Sequence, residues 1–160
     1  MMRARLVAMA VGLTIVGARL SYGAEANLAL FVANLGEVCA NTTAAGAATC
    51  REVVESFRKE GVDMGAPKLD AGLKKALVAI GKKLLFGLGG ELSAGGGIVL
   101  ASEPIGAELF DATNPSIPKE IRRAGCIRDL ALLPTAKVRS MVEGRAPLAD
   151  AVVELLKAKE

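Results

Sequence analysis

Few side chains in this 160-residue chain could do covalent chemistry: it has three cysteines, Cys39, Cys50 and Cys126, and no histidine. Histidine is the commonest general base near neutral pH and the commonest nitrogen ligand for metals. Catalysis here would therefore have to rest on carboxylate, lysine, serine or thiol groups alone. The cysteines form no C-x-x-C, so neither a zinc site nor a thioredoxin-like dithiol is supported. In an exported chain an odd count predicts one disulfide and one leftover thiol.

The spacing of the flanking residues selects the pair. Leu28, Phe31, Val32, Leu35 and Val38 fall at the i, i+3, i+4, i+7 positions of a helix over 27–39. Asn41 to Gly46 reads as a loop. Thr49-Cys50-Arg51-Glu52 then has the form of a capping box, opening a helix over roughly 50–60 that Gly61 stops. Cys39 thus ends one helix and Cys50 begins the next, and a Cys39–Cys50 bond would clip an αα-hairpin at its neck. Cys126 sits in a helical stretch, where a cysteine serves as a small buried hydrophobe; an intermolecular bridge is the alternative.

The remaining motifs are weaker. Ser56-Phe57-Arg58-Lys59 and Ser116-Ile117-Pro118-Lys119 match S-x-x-K, which puts a lysine one turn from a serine nucleophile, but the companion S-D-N and K-T-G elements are absent. Glu103, Glu108 and Asp111 offer oxygen atoms to a cation without the D-x-D-x-D-G loop of a calcium site, and read as a solvated acidic face. Residues 87–97 hold six glycines, yet the segment lacks G-x-G-x-x-G and a Gly-Lys-Ser/Thr ending. It reads as a flexible Gly-rich loop. Asn41-Thr42-Thr43 fits a glycosylation acceptor, which matters only in a eukaryotic source; Asn114-Pro115-Ser116 does not fit, because of its proline.

The clearest amphipathic pattern covers 68–88. Leu69, Leu73, Ala76, Leu77, Ile80, Leu84 and Leu88 share one side, while Lys68, Lys75 and Lys82 recur every seven residues opposite. This is the pattern of a bundle helix with its leucines inward. It also looks like a cationic peptide lying on a membrane, which makes the three lysines a possible membrane or partner face. The 84–101 run carries a single charge, Glu91, but so many glycines make poor membrane-spanning material.

The elements that would position these residues are helical. Aromatics are 3% and tryptophan is absent, so the core must be built from Leu, Val, Ile and Ala, a composition that favours helices over a sandwich. Ile98 to Ala101 is the one short strand-like or irregular run. Further on, Ser116 is positioned to cap a helix over 117–132 with Pro118 in its first turn, and Pro134 ends it. Thr135 then caps a short helix carrying Val138, Met141 and Val142 up to Gly144. Pro147 opens a last one with Leu148, Ala151, Val152, Leu155 and Leu156 on one face. No internal repeat is evident.

The first residues address the chain. Met1-Met2-Arg3-Ala4-Arg5 is cationic, Leu6 to Gly17 is uncharged, and Ala24-Glu25-Ala26 offers small residues at the −3 and −1 positions, with Ser21-Tyr22-Gly23 a second possible cleavage site. This is the layout of a secretory signal peptide over 1–26, cleaved between 23 and 26; an uncleaved anchor is the alternative. Removal of Arg3, Arg5 and Arg19 takes the basic count from 20 to 17, equal to the 17 acids, so the overall field gives no reason to bind nucleic acid. The charge is segregated: net −3 over 24–63, +3 over 64–97, −3 over 98–116 and +3 over 117–160. Neighbouring elements can pair such faces, or a partner can dock on them.

The expectation is an all-α protein, a small bundle of five to six helices in a single domain over 27–160, secreted or periplasmic. It has no assigned catalytic, cofactor or metal residues. The leading function is non-enzymatic binding or structural support of a protein partner. A membrane-surface role for helix 68–88 is the alternative, and a small hydrolase comes third.

Overall fold

The computed structural model describes residues 28–81, 83–84 and 113–157. The signal-peptide reading, Lys82, the Gly-rich loop, the strand-like run at 98–101 and the acidic trio all lie outside these residues. Among the described residues there are six helices and no strand: α1 (28–40), α2 (Ala44–Lys59), α3 (Ala71–Ile80), α4 (Lys119–Leu132), α5 (Thr135–Val142) and α6 (Ala146–Leu156). A small helical bundle is what the composition requires, and the predicted apolar stripes are its core. Leu28, Phe31, Val32, Leu35 and Val38 of α1 are buried against Val53 and Phe57 of α2 and the inward faces of α3 to α6.

Helix ends follow local chemistry. Gly61 and Gly144 adopt φ of +72° and +69°, the left-handed conformation that ends α2 and α5 at the glycines expected to do so. Asp70 caps α3 by accepting from the Leu73 N–H at 2.9 Å. Pro147 sits in the first turn of α6, where its missing N–H is harmless.

Four expected boundaries are corrected. Thr49-Cys50-Arg51-Glu52 is not a capping box, because α2 starts at Ala44 and Thr49 lies inside the helix. The three-residue connection 41–43 therefore replaces the six-residue loop. Within the described part of the 68–88 stretch, the amphipathic helix is α3, Ala71–Ile80, and residues 85–88 lie outside the described residues. Lys68 and Leu69 precede its cap and Gly81 closes it, while Leu84 stays buried and makes an isolated antiparallel bridge to Lys157. Ser116 does not cap α4. Its N–H and hydroxyl both donate to Asn114 Oδ1, and Pro118 takes the N-cap position. Thr135 is likewise the first residue of α5, with Pro134 before it.

Distant residues complete the helix ends. The Leu130 carbonyl would ordinarily accept from the N–H of residue 134, which is proline and has none. Asn34, fully buried on α1, donates instead from Nδ2 to the Leu130 and Leu133 carbonyls, at 2.8 Å each. Arg123 of α4 donates from Nε to the Leu155 carbonyl at 2.7 Å, in the last turn of α6, where a cation is favoured. Asp150 of α6 accepts from the Thr43 N–H at 2.9 Å and from its hydroxyl, placing a carboxylate at the N-terminus of α2.

Two glycines permit close approach. A Cβ at Gly46 would lie 2.9 Å from Asp150 Oδ1 and 3.0 Å from Thr42 Cγ2, and one at Gly72 would lie 2.8 Å from the Glu60 carbonyl oxygen. The first keeps Asp150 on the end of α2, and the second lets α3 start directly against the end of α2.

Candidate functional site

Cys39 and Cys50 are paired as expected, though Cys50 lies inside α2 and not at its start. Cys39, in the last turn of α1, is bonded to Cys50 in α2, with Cα atoms 5.4 Å apart. Cys126 is buried in α4, which fits the reading of it as a small hydrophobe.

With their apolar stripes turned into the core, α1 and α2 leave a second face outward, and a cleft of about 620 Å³ lies along it. Its floor is set by small residues: Ala33, Gly36 and Ala40 from α1, and Ala47 from α2. Short side chains on both helices leave space between them. Both disulfide cysteines line the cleft, and Met64 from the 61–70 connection closes one end, lying 3.5 Å from where a Gly36 Cβ would be. The volume is in the range of small-molecule and peptide sites.

The charged rim is mostly committed. Glu37 accepts from Arg139 of α5 at 2.7 Å. That hydrogen bond and the Glu37 charge hold the Arg139 guanidinium even further above its ordinary pKa than burial lowers it. Glu55 is paired with Arg58 one turn along α2. Arg51 is exposed and has no ion pair or hydrogen bond among the described residues. The cleft thus presents small apolar surface, a disulfide and one uncommitted cation.

The lysine face is less uniform than its heptad spacing suggests. Lys68 is exposed but precedes α3, and Lys75 lies 3.4 Å from Glu60. Lys83, which the spacing did not single out, lies 3.0 Å from Glu52. Of the three predicted lysines only Lys75 is described within α3, and the α3 leucines are turned inward: Leu73, Ala76, Leu77 and Ile80 are fully buried. No helix among the described residues is long and apolar enough to cross a membrane, and none of those residues cluster as a candidate metal site. Of the S-x-x-K serines, Ser56 donates to its own helix at the Glu52 carbonyl, and Ser116 donates to Asn114 Oδ1.

Sequence reasoning found the disulfide and the core but not the cleft. The signal was present as a second stripe, Ala33, Gly36, Ala40 beside Ala47, yet small residues become a cleft only when two helices set them side by side. The chain matches no protein-family model, no curated protein and no solved structure.

Proposed function

We propose that the mature chain is an exported, non-enzymatic binding module, and that it engages a protein partner through the outer cleft of the α1–α2 hairpin. The observation that carries this is the cleft itself: about 620 Å³, paved by small side chains, on helices whose other faces are locked into the core. The clip at Cys39–Cys50 supports export, because disulfides persist in oxidising compartments. It also holds the two walls at a fixed spacing, which lowers the ordering cost of binding.

The buried leucine stripe of α3 and the ion pairs of Lys75 and Lys83 to α2 support this reading over a membrane-surface role for that helix. A helix lying on a bilayer needs its apolar face free.

Photo-crosslinking in the native compartment tests the proposal. A crosslinker at Ala33 or Ala47 should give one adduct of defined mass, absent when the crosslinker is at exposed Ala79 on α3 and lost when Ala40→Trp fills the cleft. Equal labelling from Ala79, or an adduct that survives Ala40→Trp, would remove the cleft from the function. Sequencing of exported material should return a first residue between Ala24 and Asn27, whereas Met1 would refute cleavage.

A further inference from the structure

The disulfide lies at the boundary between the core, where Cys50 is buried, and the wall of an open cleft that both cysteines line. The two sulfurs are not equivalent there. Cys39 is half-buried and Cys50 is only 5% exposed, so an incoming thiolate reaches Cys39 first.

Charge distinguishes them in the same direction. Cys39 occupies the last turn of α1, where the helix's carbonyl end disfavours a thiolate. Cys50 is followed by Arg51, the one uncommitted cation of the cleft, and a neighbouring arginine favours a thiolate. A thiol of lower pKa is the better leaving group in exchange.

We infer that Cys39–Cys50 is a thiol–disulfide exchange site for an external dithiol, attacked at Cys39 and expelling Cys50 beside Arg51. One thiolate of the dithiol forms a new S–S bond to Cys39, and the bonding pair of the old S–S bond leaves on Cys50 Sγ, which takes a proton from water. The second thiol of the same dithiol loses its proton and attacks its partner sulfur. This releases the Cys39 thiolate, which is protonated in turn. The dithiol is oxidised by two electrons and the two cysteines are reduced to thiols.

The fold outlasts this change, because other bonds tie the hairpin to the C-terminal helices: Thr43 to Asp150, Glu37 to Arg139, and Asn34 to the Leu130 and Leu133 carbonyls. Exchange therefore alters the cleft wall in a folded protein. The inference does not depend on what occupies the cleft.

Treating the folded, oxidised protein with glutathione, quenching in acid, alkylating and mapping the peptides tests it. The expected adduct is glutathione on Cys39, at least tenfold over Cys50, with the far-ultraviolet circular dichroism unchanged. An adduct on Cys50, an equal split, or no adduct until denaturant is added would overturn it. Arg51→Gln should slow adduct formation severalfold with β-mercaptoethanol as well, whose attacking thiolate lacks the further carboxylate charge of glutathione. An unchanged rate with that thiol would overturn the assignment of Cys50 as the leaving sulfur.

Discussion

At the scale of single residues, polar groups act at a distance from their own helices. Asn34 supplies the donor that Pro134 cannot, so Asn34→Leu leaves the buried Leu130 carbonyl and the part-buried Leu133 carbonyl without this donor, at a cost of about 1–3 kcal/mol. The melting temperature reads this directly. Asn34→Ala should be no milder, since truncation adds a cavity to the same loss. Asp150 is a second case. Asp150→Ala removes the cap from α2 and should cost about 1 kcal/mol. Gly46→Ala drives a methyl into the same carboxylate and should cost a similar amount. Because both act on one contact, the double variant should lose clearly less than the sum of the singles in a denaturant titration. Full additivity would mean that Gly46 matters for another reason.

Among the elements, α3 shows how an amphipathic pattern is spent. Leu77 is fully buried, and Leu77→Asp places an unpaired charge in the core, a loss of several kcal/mol that should unfold the domain. Lys75 is 74% exposed and 3.4 Å from Glu60, so Lys75→Gln should change stability by less than about 1 kcal/mol. A melting temperature unmoved by Leu77→Asp would mean that α3 is not packed as described. The start of the same helix is pinned by Gly72: a methyl there meets the Glu60 carbonyl, a backbone atom that cannot swing aside. Gly72→Ala should therefore destabilise, against the roughly 1 kcal/mol gain that alanine brings to an unobstructed helix position.

For the molecule as a whole, three cations of the second and fourth charge blocks find counterparts in the first block. Lys75 and Lys83 from the second block pair with Glu60 and Glu52 of the first, and Arg139 from the fourth pairs with Glu37 of the first. These are exposed pairs, so raising the salt concentration should lower the melting temperature only slightly. Closure of the hairpin contributes more. The cysteines are 11 residues apart, and replacing both by alanine should cost about 3 kcal/mol through the freed loop of the unfolded chain. Chemical denaturation checks this, and the variant should still fold, because the Asp150 and Asn34 contacts remain.

What the residues alone determined was which helix faces are apolar, where glycines stop helices and which cysteines pair. The apolar stripes of α1, α5 and α6, the glycine stops at Gly61 and Gly144, and the pairing of Cys39 with Cys50 were all legible, because a helix of 3.6 residues per turn converts spacing into a face. The short-range signals that misled were the caps. Thr49, Ser116 and Thr135 each have the right chemistry for an N-cap, yet the helices start where partners from elsewhere in the chain allow. Asp150 holds the end of α2, and prolines take the cap positions of α4 and α5. The cleft, the burial of Asn34 and the need for glycine at 46 and 72 were decided by tertiary structure alone. Each depends on a distance between helices, and no periodicity within one segment encodes how closely another will approach it.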